Sequence, residues 1–303
     1  MTEAEIFNEH RRLMFSIAYR MTGSVSDAED IVQDAYLRYA RALNEGTVVE
    51  NPQAFLATVT TRLAITHLTS ARVRRESYVG SWLPEPLLTD QTPGPEEHAA
   101  MSDSLTMAFL VLLESLNPTE RAVFLLREVF GYDYAEIAEI TGKSEQNARQ
   151  IFARARRRVD EGGRPRFEAS REASAEVARR FFAAIDGGDM NVLLEVLSPD
   201  VVTIGDGGGK AGATRVPIAG RLRVARFLLS LFPRGRKLGA YGEPAWVNGQ
   251  PGTVWYDAQG RVAAVLALDI ADGAVQAVRS VVNPDKLAHL GPVSDIALRP
   301  PLE

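Results

Sequence analysis

The sequence contains no cysteine. Disulfides, thiolate zinc sites and cysteine nucleophiles are therefore excluded. Histidine is scarce: His10, His67, His98 and His289 lie far apart and form no local metal motif. No run approaches the roughly 18 apolar residues that span a bilayer, and the start, Met1-Thr2-Glu3-Ala4-Glu5, is acidic where a signal peptide is basic. These absences predict a cytoplasmic protein with no cofactor, no metal and no membrane partner. What is present is ordinary: 46% hydrophobic and 24% charged residues, which excludes a disordered or fibrous chain. The length of 303 residues is about twice the ~150 of a typical domain and predicts two or three domains.

The net charge of −5 hides strong segregation. Five of the ten residues from Arg149 to Arg158 are arginine, Arg164 and Arg166 follow, and Arg72, Arg74 and Arg75 form a second cluster. Acidic residues gather at Asp27, Glu29, Asp30 and Asp34, and between Asp133 and Glu145. Such separation fits distinct surfaces for distinct partners, although a solvated helix face has the same look.

Residues 1–76 read as wholly helical. Residues 77–98 hold Pro84, Pro86, Pro93 and Pro95, which fix φ and remove donors, so this stretch reads as an extended connector. Residues 99–162 are helical again, up to the break at Gly162-Gly163-Arg164-Pro165. From 168 to about 290 the texture is two helices followed by Gly-rich turns and strand-like runs such as Val262 to Ile270, with a hairpin signal at Asp272-Gly273. The expected fold class is multidomain: two all-α domains, then an α+β domain.

Tyr134 to Val159 carries the strongest local signal. Ile137 and Ile140 face inward on a first helix, Gly142 supplies a turn residue, and Ser144 stands at the next N-cap with Glu145 at the positive end of the dipole. Ala148, Phe152, Ala155 and Val159 make one buried stripe. Gln146, Asn147, Arg149, Gln150, Arg154 and Arg157 lie on the other side. Amides suit base edges and arginines suit phosphates or guanine, so this helix-turn-helix fits a major groove, against a plain αα-hairpin with a charged face.

In the first block, Ser26-Asp27-Ala28-Glu29 reads as a capping box after a stop at Gly23. The helix it starts, ending near Ala42, buries Ala28, Ile31, Val32, Ala35 and Tyr39, and leaves Asp30, Gln33, Asp34, Leu37 and Arg41 on another face. Asn51-Pro52 opens a further helix to Arg75, rich in threonine; small hydroxyls at Thr66 and Thr69 beside Arg62 and Arg72 suit close approach to a nucleic-acid backbone.

These segments together resemble bacterial RNA polymerase sigma factors of the extracytoplasmic-function group. Asp27-Ala-Glu-Asp-Ile-Val-Gln-Asp-Ala-Tyr-Leu-Arg38 is similar to region 2.2, Asn51-Pro-Gln-Ala-Phe-Leu-Ala-Thr-Val59 to the start of the promoter-melting and −10-reading helix, and the helix-turn-helix to region 4.2. Trp82-Leu83-Pro84-Glu85-Pro86, Asp206-Gly207-Gly208-Gly209-Lys210 and Asn283-Pro284-Asp285-Lys286-Leu287 resemble the subfamily with a fused C-terminal SnoaL-like domain. The resemblance implies that Asp30, Gln33, Asp34 and Leu37 meet the β′ clamp helices of core RNA polymerase, with the β subunit as a further partner. It implies that Asn44-Glu45-Gly46-Thr47 helps to hold a flipped −10 base, that Arg62, Thr66, Thr69 and Arg72 approach the −10 region, and that Ser144 to Arg157 serve the −35 element. Thr66 stands where many relatives carry Asp, and Ile151 where a basic residue is common. Both departures bear on the promoter sequence.

For the SnoaL-like domain the candidate pocket residues are Asp206, Lys210, Trp246, Trp255, Tyr256, Asp269 and Arg279, with His289 expected at the surface. Relatives in this broad fold include enzymes, so the fold does not assign the function. The favoured expectation is a non-enzymatic built-in regulator that replaces a separate anti-sigma factor, with the Trp82–Pro86, Asp206–Lys210 and Asn283–Leu287 segments meeting in space. A DNA-binding regulator independent of polymerase, or a SnoaL-type enzyme with a DNA-binding appendage, are the alternatives.

Overall fold

Helices α1 (Glu3–Thr22), α2 (Val25–Asn44) and α3 (Pro52–Glu76) follow the helical spacing of the first block's apolar residues. The computed structural model describes residues 3–76, 78–89, 103–163 and 170–295, with the side chains of 71–76 outside the described residues. The expected clusters at Arg72 to Arg75 and at Arg164 and Arg166, and the expected Pro93 and Pro95, lie there also. The chain divides into two compact units, residues 1–77 with 112–164, and residues 78–111 with 165–303. From Tyr78 onward, the segment expected to be a connector is thus part of the unit that contains the C-terminal block.

In the first unit, Met14, Val32, Ala35, Tyr39 and Leu56 form the shared core of α1–α3. The N-cap of α2 is Ser24, whose hydroxyl accepts from the Asp27 amide, and not the expected Ser26. Gly23, at φ +67°, ends α1 early enough for Ser24 to take the cap. The same unit holds α5 (Pro118–Glu128), α6 (Tyr134–Thr141) and α7 (Glu145–Glu161), preceded by α4 (Met107–Leu113), within which the chain passes between units. Asn117 and Asp133 form capping boxes with Glu120 and Glu136. Phe124 stacks on Phe152 at 6.1 Å.

The second unit is an α+β cone. Its sheet has seven strands in the order β1-β4-β5-β6-β7-β2-β3. These are β1 (Leu88–Thr89), β2 (Leu197–Asp206), β3 (Ile218–Ala219), β4 (Tyr241–Val247), β5 (Gln250–Tyr256), β6 (Val262–Ala271) and β7 (Ala274–Val281). The pairs are antiparallel except β2 with β7. Asp272-Gly273, at φ +52° and +69°, joins β6 to β7, and Asn248-Gly249, at +52° and +74°, joins β4 to β5, both with the left-handed conformations a two-residue hairpin needs.

Helices α8 (Arg171–Gly187), α9 (Met190–Val196) and α10 (Arg221–Lys237) complete the unit. The sequence reading missed α10, because Pro233 and Gly235 inside it are helix breakers; buried Val224, Ala225, Leu228 and Phe232 hold it in place. Leu266, Leu268 and Ile270 of β6 pack with these helices. The alternate residues Val265 and Ala267 lie in a second cluster with Leu83 and Met107. The strand is therefore apolar throughout because both faces of the sheet are covered.

Beyond β5, the Asp257 carboxylate accepts from Ser294 Oγ at 2.7 Å, from the Arg261 amide and Nε, and from the Gln259 amide. Burial opposes its charge, but these donors outweigh it and hold the carboxyl down at about 2. A depressed acid stabilises the fold above its ordinary value of 3.8, and that contribution is lost as pH falls through about 2. Urea denaturation of wild type and Asp257→Asn is expected to show wild type the more stable at pH 6, with the gap narrowing below pH 4.

Candidate functional site

Asp206 ends β2 with no exposure to solvent. Its Oδ2 accepts from the Leu83 amide at 2.8 Å and from Lys286 Nζ at 2.7 Å. Its Oδ1 accepts from the Tyr78 hydroxyl at 2.5 Å and from the Gly208 amide at 3.1 Å. Burial and then the adjacent Asp206 charge push the Tyr78 phenol far above its ordinary value, so it keeps the proton it donates. Lys286, 8% exposed, also donates to the Leu83 carbonyl and lies 4.5 Å from the Trp82 ring centroid and 4.8 Å from that of Tyr78.

Each segment has a local reason for its shape. Pro84 and Pro86 keep residues 82–86 extended, with Leu83, Pro84, Glu85 and Pro86 buried. Asn283 caps the short 3₁₀ turn Pro284–Lys286 that delivers Lys286, and donates from Nδ2 to the Tyr78 hydroxyl at 2.9 Å. Gly208, at φ +57°, lies where a Cβ would sit 2.2 Å from Asn283 Nδ2, so only glycine fits. Outside this core, Lys210 pairs with Asp285 at 2.5 Å as a surface ion pair, while Leu287 is buried in the cluster of Leu83.

Two partners were not read from the sequence. Tyr78 has no periodic signal, and Asn248 was legible only as a turn residue. Asn248 Oδ1 accepts from the Leu87 amide, its own amide donates to the Leu87 carbonyl, and Nδ2 donates to the Leu105 carbonyl. His289, expected at the surface, is exposed there and also donates from Nε2 to the Pro86 carbonyl at 2.8 Å.

The helix-turn-helix takes the expected local form. Gly142, at φ +65°, ends α6, and Ser144 caps α7 by accepting from the Asn147 amide. Ala148, Ile151, Phe152, Ala155 and Val159 are buried, whereas Gln146, Asn147, Arg149, Gln150, Arg154 and Arg157 are exposed. Arg149 is engaged: it pairs with Glu145 and lies 4.4 Å over the Tyr134 ring. Ile151 packs inward, so its position offers no basic group to a groove. On α2, Asp30, Gln33, Asp34 and Leu37 are all exposed, Leu37 at 61%.

Residues 6–74 match the family Sigma-70 region 2, and residues 106–159 match Sigma-70, region 4. The chain is 38% identical over 294 residues to the ECF RNA polymerase sigma factor SigJ of Mycobacterium tuberculosis, covering 94% of this chain and 93% of that protein. It belongs to the ECF RNA polymerase sigma factors. The probable ECF sigma factor SigI of the same organism is 33% identical, with 93% of each chain covered. The crystal structure of M. tuberculosis SigJ superposes with a TM-score of 0.73 at 36% identity, covering 95% of this chain and 98% of that one.

As a sigma factor, the chain carries region 2 in α1–α3, region 4 in α4–α7, and a SnoaL-like cone in the second unit. The region 2 residue Arg62 is hydrogen-bonded: Nε donates to Ile140 O at 2.9 Å and Nη2 to Glu139 O at 2.8 Å, at the end of α6. Arg62, expected to approach the −10 region, is thus engaged by α6 carbonyls in this structure. Thr66 and Thr69 are exposed, and their hydroxyls donate to the Arg62 and Ile65 carbonyls one turn back. Arg72 lies among the side chains outside the described residues.

The cone encloses a cavity of about 350 Å³. Of the expected pocket residues only Trp255 lines it. Asp206 and Lys210 belong to the linker site. Arg279 and Asp269 pair at 2.8 Å as a buried couple, Trp246 lies beneath the Arg171 guanidinium, and Tyr256 packs on Tyr241. The alternation of β6 and β7 turns Asp269 and Arg279 away from the cavity.

Asp206→Asn leaves Lys286 buried without its counter-charge and is expected to cost about 3–5 kcal/mol in urea denaturation. Gly208→Ala is expected to speed hydrogen exchange at the Leu83 amide without altering peptides of α1–α3.

Proposed function

We propose that the chain directs promoter-specific transcription initiation as a sigma factor whose fused cone regulates it through the segment 78–89. The observation that supports the regulatory reading is the Asp206–Lys286 pair, which holds both the amide and the carbonyl of Leu83. A backbone segment gripped at both polar groups, with its side chain in the sheet's second core, docks at low entropic cost, since prolines have already restricted it. A contact of this kind, made within one chain, acts at high effective concentration and needs no separate anti-sigma protein.

In this reading the exposed Asp30, Gln33, Asp34 and Leu37 face of α2 meets the β′ clamp helices of core polymerase, and the β subunit is a further contact. The exposed Asn44–Thr47 loop and α3 serve the −10 element. The exposed face of α7 enters the −35 major groove, with Gln146, Asn147 and Gln150 at base edges and Arg149, Arg154 and Arg157 at phosphates. For Arg62 to reach DNA it must leave the α6 carbonyls. The protein works in the cytoplasm, with the polymerase. The cavity wall, among the described residues, includes no Asp, Glu, His or Lys. Acid–base chemistry there would lack a carboxylate, imidazole or amine to take or give the proton, which supports a non-enzymatic role.

Run-off transcription with purified core polymerase tests the main reading. A promoter-dependent transcript is expected, and its absence from both the full chain and Asp206→Asn overturns it. Asn147→Ala is expected to cost about 1–3 kcal/mol at one promoter position. Arg154→Ala is expected to weaken binding to all sequences and lower the salt slope by about one.

A further inference from the structure

Charge is unevenly answered in the cone. The 36 residues between Asp206 and Glu243 include eight basic residues and no acidic one, in a chain whose net charge is −5. Helix α10 carries most of them. Its buried Val224, Ala225, Leu228 and Phe232 face the core. Arg223, Arg226, Ser230, Arg234 and Lys237 recur at spacings of three, four, four and three, which is the period of one helical stripe, and all five are exposed. At 1.5 Å per residue, the stripe from Arg223 to Lys237 is about 21 Å long.

The four cations of the stripe have no carboxylate partner among the described residues. Elsewhere in the cone, Arg179, Arg180, Arg236, Arg261, Arg279 and Lys286 each pair with one. Helix electrostatics does not account for the difference. The C-terminal carbonyls of α10 favour Arg234 and Lys237, but Arg223 lies in the first turn, where the dipole opposes a cation. Arg223 with Arg226, and Arg234 with Lys237, are like charges three residues apart that repel along the helix. An external polyanion supplies the counter-charges that the fold does not.

Three of the four cations are arginines, whose planar fork bonds two phosphate oxygens at once. An anionic membrane is the poorer match, because a helix lying in a bilayer inserts its apolar face, and that of α10 is taken up by the cone's core. Of the large apolar side chains of α10, only Leu222 is exposed. Duplex DNA presents one charge per roughly 1.7 Å of its axis, or roughly twelve over the length of the stripe. We propose that the outer face of α10 is a contact for the DNA backbone, a sequence-independent duplex site in the cone additional to those of regions 2 and 4. Such a contact raises affinity for DNA without adding sequence information. It rests on the stripe and not on the regulatory reading above.

The test uses the full chain and a fluorescent duplex of about 30 bp without promoter sequence, titrated by anisotropy over a range of salt. Arg223→Gln with Arg226→Gln is expected to weaken binding at least fivefold at about 100 mM salt and to lower the salt slope by about two. Arg179→Gln with Arg180→Gln, the same change of charge at paired positions, is expected to leave both unchanged. Arg223→Lys with Arg226→Lys is expected to keep most of the binding. Because the chain has no cysteine, Ser230→Cys puts a single thiol at the centre of the stripe. Saturating duplex is expected to slow its reaction with N-ethylmaleimide at least threefold, and Arg223→Gln with Arg226→Gln to remove that protection. Duplex held by regions 2 and 4 alone leaves the thiol unprotected, so failure here is distinct from failure of the sigma-factor reading. Equal weakening by the two glutamine pairs, or a thiol that reacts at one rate with and without duplex, overturns the site and leaves a solvated face. Protection by phosphatidylcholine vesicles containing phosphatidylserine, but not by duplex, overturns the assignment to DNA in favour of a membrane.

Discussion

A carboxylate with no access to water must have its charge answered by neighbouring groups, and Asp206 is answered from three parts of the chain. Lys286 supplies the counter-charge, Tyr78 and the Leu83 amide come from the proline-rich segment, and Gly208 closes the turn behind it. Breaking any one contact leaves a buried charge short of partners. This constraint explains why the turn is glycine-rich, why Asn283 begins a 3₁₀ turn, and why residues 82–86 are held extended.

The sheet imposes the second requirement. With α8–α10 on one face, the other face of β5–β7 is also apolar and needs a cover. Leu83, from the proline-rich stretch, and Met107 of α4 provide part of it. The proline-rich stretch is therefore a component of the cone's core, and the polar grip on Leu83 and the burial of its side chain reinforce each other.

Much of the candidate DNA surface was legible because local rules govern it. A turn glycine, an N-cap serine and a period of three to four suffice to sort α7 into a buried stripe and an exposed polar face. The same rules misplaced the α2 cap by two residues, since Ser24 and Ser26 both suit an N-cap and the end of α1 chooses between them. They could not show Arg62 at the end of α6, because a contact across 77 residues has no local signature. The cone's pocket candidates failed for a similar reason: residue chemistry suggested Asp269 and Arg279, but strand register turned them to the other face.

By itself, the sequence determined the helical identity of the first blocks, the change to α+β texture beyond 168, the helix-turn-helix and the three motifs of the linker site. The first three rest on spacing, capping or turn chemistry within about a dozen residues, and the motifs on their likeness to the subfamily. Tertiary structure alone decided that Tyr78 and Asn248 join those motifs, that Pro233 sits within a helix, and that a mostly apolar cavity lies behind Asp206. Those outcomes depend on which buried polar groups find partners across long stretches of chain, and that is settled only when the sheet closes over both of its faces.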